Sequence, residues 1–497
     1  MSSAVLILLP MILPLAAGFF VIEAGFKDDL KRNIFIEAAA CLTALLVFCA
    51  IFLAGSEPIT IFSFTRGFSV TFRMDRMAAL FAGMISLMWP LVLLYAFSYM
   101  AHDPGRNSFL GFYLMTYGIT LGVALSADLI TLYVFFEMLT LVTLPLVAHY
   151  RDHESMYAGR LYAAYTIGGA SLAFIPVVMI TLRSEGGTFI YGGAITQPLS
   201  GTMISILFLF GFFGFGVKAA LFPLHGWLPK ASVAPTPVTA LLHAVAVVNS
   251  GVFSVMRITY YSFGADILRG SAAQDIAVFA AAFTMVFAAV MALKERHFKR
   301  RLAYSTVSNL SYMLFGTALM TPAGFLGGLS HMVFHSVIKM SLFLCAGAFM
   351  HVTGKEYIYE VDGVGRKMPV TFGIYTAGAL SLTGIPLFCG FISKWQLFTA
   401  GASAGTKAGY VGVAALLISA FLCAMYTLTI SIRAFFPQVM NPAGNTGTGT
   451  KVWTKEEIRE ADALMLIPML FFAALNILIG IFPGPVMGFL GMIANGL

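Results

Sequence analysis

The sequence predicts an all-α polytopic membrane protein of about 14 transmembrane helices, and three observations carry that prediction. First, 59% of the 497 residues are hydrophobic and only 10% are charged, against roughly 25% charged in soluble domains. Second, mean hydropathy is +0.89. Third, apolar runs close to the roughly 20 residues that one span needs recur along the whole chain, separated by charged or Gly/Pro-rich connectors. The formal charge of +7 is assigned to cytosolic loops and anionic lipid; no nucleic-acid partner is expected.

The runs lie at 4–22, 33–54, 77–99, 109–126, 128–148, 160–182, 202–223, 236–256, 273–293, 302–320, 325–350, 371–391, 409–435 and 463–491. The first has neither a basic leader nor a small-residue cleavage site, so it is read as a span and not as a signal peptide. The largest connectors are 351–370 and 437–462. Within the second, Asn441 to Thr454 is Gly/Thr-rich and reads as a flexible loop. Lys455 to Ala463 is charged and reads as either a short surface helix or a solvated helix start. The chain divides into an N-terminal three-helix segment (1–100), two repeats (101–260 and 270–436), and a loop with a C-terminal helix (437–497).

With 14 spans, alternate connectors face opposite sides. One side holds nineteen Lys and Arg residues, the other seven, and Lys218, Lys339 and Lys394 fall within spans. The positive-inside rule assigns the richer side to the cytosol and both termini to the outer side of a cytoplasmic membrane. The five cysteines, Cys41, Cys49, Cys345, Cys389 and Cys423, all lie in apolar runs without a CxxC pair. They read as packing residues, and no cofactor or disulfide framework is expected.

A charge at mid-membrane costs from about 3 kcal/mol upward, so ionisable residues there are functional candidates. Glu137 sits midway along span five, in TLYVFFEMLTLVTL, and Lys218 lies in span seven. His243 lies in span eight, and Lys394 follows the apolar part of span twelve. In SHMVFHSVIKMSLF, His331, His335 and Lys339 recur at i, i+4 and i+8. That spacing puts them on one helical stripe, about 6 Å apart per step. Lysine in a low-dielectric site can cycle between charged and neutral forms under the control of a nearby carboxylate. Histidine can pass a proton between its ring nitrogens. Blander readings stand beside this one. His243 alone would serve as a hydrogen-bonded core residue, Glu137 and Lys218 as a structural ion pair, and Lys394 as a cation snorkelling to the interface. His331 and His335 have metal-ligand spacing, but no third ligand lies near in sequence, so no metal is expected.

Pro223 follows Lys218, and Gly384, Pro386 and Gly390 precede Lys394. Such breaks either kink a packed helix or open it where it lines a wet cavity. Spans four to eight and nine to thirteen also read as two copies of one unit, each with a lysine beside a break in its fourth helix. Two inverted copies would place one half-channel open to each face.

Several stretches resemble the antiporter-like proton-translocating membrane subunits of respiratory complex I (L, M and N types), Mrp Na⁺/H⁺ antiporters (A and D types) and membrane-bound hydrogenases. They are PLHGWLPKASVAPTPVTALLHA (223–244), FKRRLAYSTVSNLSYMLFG (298–316) and HMVFHSVIKMSLFLCAGA (331–348), joined by SYMAHDPG (98–105) and GIPLFCGFISK (384–394). The resemblance spans roughly 70–435. It implies two inverted five-helix repeats with helices seven and twelve broken. It also implies a proton path in which Glu137 and Lys218 are a switch pair, His243, His331 and His335 the relay, Lys339 the connector and Lys394 the terminal lysine. Asp128 matches an acidic position of accessory role. Some members carry lysine where this chain has Asn249. The L-type and A-type subunits continue into further segments, whereas this sequence ends at Leu497. It therefore joins L-like motifs to the length of an M-type or D-type subunit.

The resemblance implies a proton-translocating subunit, without a redox centre of its own, in a larger membrane complex coupled to NADH/quinone or hydrogenase chemistry. The alternative is an Mrp-type Na⁺/H⁺ antiporter subunit, in which sodium is also moved. A structural scaffold without ion flux is the third reading. Other membrane subunits, the bilayer and protons are the expected partners.

Overall fold

The computed structural model describes residues 3–65, 68–184, 186–197, 199–437 and 459–496. The segment from Asn441 to Thr454 lies outside the described residues, as do residues 455–458, and residues 459–462 are not helical.

Long apolar runs close their own backbone hydrogen bonds, so in a bilayer they must be helical. In order, the helices are α1 (Ser3–Ala24), α2 (Asp29–Leu53), α3 (Arg76–Tyr99), α4 (Arg106–Leu125), α5 (Leu129–Val147), α6 (His153–Arg183), α7 (Gly201–Gly216), α8 (Trp227–Ala231), α9 (Thr236–Ala244) and α10 (Val247–Arg257). They continue with α11 (Ala265–Leu268), α12 (Ala272–Lys294), α13 (Phe298–Ala318), α14 (Pro322–Thr353), α15 (Pro369–Thr383), α16 (Cys389–Ser403), α17 (Lys407–Phe435), α18 (Ala463–Ile481) and α19 (Gly484–Ala494). Eleven helical stretches among the described residues are long and apolar enough to cross a membrane; one of them, Thr236–Phe263, runs through α9, α10 and the π-helical turn that follows. The protein is an integral membrane protein.

Several helices open on a capping side chain that satisfies first-turn N–H groups. Asp75 accepts from Ala78 N, Asp128 from Thr131 N, and Ser271 from Gln274 N. Elsewhere small residues let helices approach closely, the usual device where lipid removes the hydrophobic drive between them. A Cβ at Gly251 of α10 would meet the Lys218 and Ala219 backbone, so only glycine lets α10 lie against that turn.

The structure departs from the sequence reading in three places. The connector before α3 forms an antiparallel hairpin, β1 (Ile59–Thr65) and β2 (Phe68–Phe72). Its second strand continues as Thr71 O accepts from Ala127 N at 2.9 Å and Arg73 N donates to Leu125 O at 2.8 Å. Ala127 O in turn accepts from Phe189 N at 2.9 Å, so three remote segments form one ribbon over the start of α5. The span read as 236–256 is two helices, because Ala246 N bonds Leu241 O and breaks the ladder between α9 and α10. The last run, 463–491, is also two helices, α18 and α19.

The core sits where the most polar helices are. Helices α9, α10, α13 and α14 are buried over nearly their whole length, and many of their buried residues are Ser, Thr, Asn or His. Helices α1, α2, α6, α17 and α18 are among those that carry large exposed apolar side chains.

Candidate functional site

Two further breaks hold two of the lysines. Helix α7 ends at Gly216, and a run of turns leads to α8. Trp227 Nε1 donates to Val217 O at 2.9 Å and pins that run in place. Lys218, fully buried within it, donates to the carbonyl of Phe136 and lies 3.8 Å from the Phe136 ring centre. Glu137 is the next residue on α5 but is only half-buried, and no ion pair within 4.0 Å joins it to Lys218. Lys218 therefore meets α5 at the residue next to Glu137, without an ion pair between the two.

The second break separates α15 from α16. Gly384 takes φ +98° there, the left-handed region that glycine occupies readily. Lys394 reaches back from α16 to the freed carbonyls of Leu382 (2.6 Å) and Thr383 (3.2 Å) at the end of α15. A cation at a helix C-terminus is favoured by the unsatisfied carbonyls gathered there. Lys394 is 6% exposed, which argues against snorkelling to an interface. Asn476 of α18 ties the break down, its Oδ1 accepting from Ser381 Oγ at 2.7 Å and from Cys389 Sγ at 3.0 Å.

Between the breaks lies the α14 stripe. His331 Nδ1 is 2.9 Å from Ser393 Oγ, and its Nε2 is 3.2 Å from Asn309 Oδ1. Its ring stacks on His335, 5.7 Å between centres, and both ring nitrogens of His335 lack a hydrogen-bond partner. Lys339 donates to Leu302 O at 2.9 Å and to Ser305 Oγ, both on α13. Phe343 then stands between Lys339, 5.6 Å from its centre, and the ring of His243, 4.8 Å away. His243 Nε2 is 3.5 Å from Ser232 Oγ, and its Nδ1 is unpartnered. At the other end, Tyr312 lies 5.2 Å from His331 and 5.2 Å from the Lys394 ammonium.

The arrangement thus gathers His243, Lys339, His335, His331 and Lys394 into one cluster. Lys218 and Glu137 stand beyond it, with no direct hydrogen bond to His243 among the described residues. Asp128 takes another place. Its Oδ1 accepts from Thr131 N at 2.7 Å and its Oδ2 from Thr131 Oγ1 at 3.0 Å, so it caps α5. Each lysine donates to backbone carbonyls and none meets a carboxylate within 4.0 Å among the described residues. Lys339 and Lys394 are thus held by dipoles, while the Glu137 carboxylate acts on Lys218 from beyond hydrogen-bond reach. No group of three His, Cys, Asp or Glu side chains gathers among the described residues as a metal site.

Sequence reasoning did not give the parts played by three sets of residues. Ser305, Asn309, Tyr312 and Ser393 join the row, but serine, asparagine and tyrosine carry no spacing signal of their own. Asn249 fastens the α9–α10 break, donating to Ala244 O and to Ser336 Oγ, each at 2.8 Å. Arg257, one residue past the run read as 236–256, is fully buried and pairs with Asp75 through two bonds of 2.7 and 2.8 Å. Burial alone would raise the Asp75 carboxyl, but Arg257 and Arg73 outweigh it and hold the group at about 2.

Comparison with known proteins gives this geometry a context. The family profile described as "NADH:quinone oxidoreductase/Mrp antiporter, TM" matches residues 126–436. A second profile, "NADH-Ubiquinone oxidoreductase (complex I), chain 5 N-terminus", matches 62–110. NADH-quinone oxidoreductase subunit N of Desulforudis audaxviator (strain MP104C) is 32% identical over 396 residues, covering 78% of this chain and 77% of its own. The A-type Na(+)/H(+) antiporter subunit of Alkalihalophilus pseudofirmus (strain ATCC BAA-2126 / JCM 17055 / OF4) is 30% identical over 447 residues, covering 84% of this chain and 53% of its own. A chain in the structure of the Mrp complex from Dietzia sp. DQ12-45-1b shares the fold at a TM-score of 0.83 and 21% identity, with 100% of this chain and 97% of that one covered.

Proposed function

We propose, for a chain that belongs to the NADH:quinone oxidoreductase/Mrp antiporter family of membrane subunits, that it moves protons through the buried row as an antiporter-like subunit of a multisubunit membrane complex. The observation that carries this reading is the set of three buried lysines, held by carbonyls and linked in part by histidines. Burying such groups in an apolar bundle is costly without a function for them. Glu137 and Lys218 are read as the switch pair. Movement of α5 that brings the carboxylate to the ammonium holds the proton, and separation releases it. His243 and Lys339 face each other across Phe343 and receive the proton. His335 and His331 pass it along α14, and Ser393 leads to Lys394 at the far end. Asp128 acts as an accessory through its hold on the start of α5.

Fourteen crossings, two inverted repeats and termini on the outer side complete the proposal. The breaks after α7 and α15 support it, since each sets a lysine beside freed backbone in the fourth helix of its unit. The driving partner in this reading is a redox module of NADH/quinone or hydrogenase type, carried by other chains. A Na⁺/H⁺ antiporter assembly is the second reading, favoured by the similarity to the A-type antiporter relative. A scaffold without ion flux accounts for the fold but leaves the buried amines unexplained.

Proteoliposomes of the intact complex with a trapped pH-sensitive dye test the reading. Lys218→Ala, Lys339→Ala and Glu137→Ala are each expected to abolish coupled proton movement while the complex still assembles. Unchanged flux in any assembled variant overturns the role given to that residue. Sodium dependence of the wild-type flux separates the two transport readings.

A further inference from the structure

Helix α10 carries a second polar face that leads away from the row. Ser250, Ser254 and Arg257 follow one another at i, i+4 and i+7, so they share one stripe, and all three are fully buried. At the inner end Asn249 donates to Ser336 Oγ at 2.8 Å, and Ser336 is the chain neighbour of His335. Along the way Asn249 Oδ1 and Ser250 Oγ have no hydrogen-bond partner. Buried polar atoms of this kind ordinarily bind water, and a file of them can carry protons. At the outer end lies an open cavity of about 460 Å³, lined in part by Glu57, Arg73, Asp75, Arg76, Tyr191 and Tyr261. A polar lane thus runs from the histidine cluster toward that cavity.

One feature stands across it. Arg257 grips both oxygens of Asp75 at 2.7 and 2.8 Å, and its guanidinium is boxed by the rings of Tyr261 (4.6 Å), Phe189 (5.0 Å) and Phe253 (5.1 Å). Arg73 clamps the same carboxylate at 3.1 Å and the Phe189 carbonyl at 2.8 Å. A guanidinium does not give up its proton in proteins, so Arg257 is no relay. Fixed by both carboxylate oxygens and by three rings, the guanidinium plugs the passage and interrupts a file of water there. We propose that the Asp75–Arg257 pair is a leak barrier, closing the α10 lane so that protons on the row do not escape passively to the cavity face.

The proposal rests on the proton-path reading, but its test does not need coupled transport. The intact complex is reconstituted in proteoliposomes with an internal pH dye, and passive proton entry after an acid jump is measured without a driving reaction. Asp75→Asn is expected to raise the passive rate several-fold, and adding Ser254→Val to that variant is expected to return it to the wild-type value by filling the lane. An unchanged rate in assembled Asp75→Asn overturns the barrier, and a leak that survives Ser254→Val overturns the route. Where Asp75→Asn does not assemble, accessibility with the pair intact decides. Ser56→Cys in the cavity wall is expected to react with a small charged thiol reagent added from the cavity side, and Ser254→Cys is not. Labelling of Ser254→Cys through the intact pair overturns the proposal. Failure here with loss of coupled flux in the Lys218 variant would leave the proton path standing without this barrier.

Discussion

At the scale of single residues, a few atoms fix where charge can rest inside the bundle. The histidine–lysine stripe was legible because i, i+4, i+8 spacing is local and charges are rare in apolar runs. Asp75 and Arg257 are 182 residues apart, and no local pattern could have joined them. Asn249 was noticed only as a departure from lysine; its two bonds define its part. Replacing it with alanine leaves buried partners unsatisfied, at about 1–3 kcal/mol each. A lower unfolding temperature and weaker coupled flux are expected for Asn249→Ala in detergent-purified complex. Wild-type thermal stability would show that the break does not depend on this side chain. The Asp75 carboxyl gives a pH prediction. Its folded value is lowered to about 2, so its contribution is complete above the ordinary unfolded value of about 3.9 and is lost only as pH falls toward the folded value. The stability difference between wild type and Asp75→Asn should therefore be the same at pH 5 and pH 8. A difference that shrinks between those two values would contradict the charge state assigned to the pair.

At the scale of elements, the breaks matter more than the helices. The breaks near Lys218 and Lys394 were legible from Pro223 and from Gly384 and Pro386. The break between α9 and α10 was not, because Val245 and Ala246 carry no breaker signal and the ladder shifts through a single Ala246–Leu241 bond. The hairpin was missed for a different reason. ITIFSFT and FSVTF have the β-branched and aromatic content of strands, but between two long apolar runs they read as a connector. Helix α10 can lie along the Lys218 turn only because residue 251 has no side chain. Gly251→Val should displace α10 or the lysine and cost about 1–3 kcal/mol through overpacking. Coupled flux is expected to fall with it, and a variant with normal flux and stability would show that the contact yields easily.

For the whole molecule, apolar runs about 20 residues long were enough to predict a polytopic helical fold, because a run of that length satisfies its own polar backbone in lipid as a helix. Which helices form the centre was not legible, since burial depends on partners far away in sequence. The structure puts the most polar helices innermost and leaves α2 and α17 with exposed apolar faces, as at Leu45 (59%) and Leu417 (54%). Leu417→Arg places a charge midway along α17 on that face and should cost about 3 kcal/mol or more in a bilayer. The expected result is a fall in membrane-inserted protein by quantitative blotting, whereas unchanged yield would mean that this face does not meet lipid.

The α14 stripe has a further consequence, an electrical one. His331 and Lys339 lie eight residues apart on a single helix, which is about 12 Å along its axis. Against a hydrocarbon layer about 30 Å thick, that is at most about two fifths of the dielectric. On the proposed reading, a proton passing along α14 therefore works with or against the membrane potential. It gains or loses up to about 0.9 kcal/mol per 100 mV, as a fraction of the roughly 2.3 kcal/mol for a full crossing. Transfers between neighbouring helices at one depth carry no such term. The α14 step is then where voltage enters the cycle, and a change in membrane potential should alter that step's rate more than those of the lateral steps.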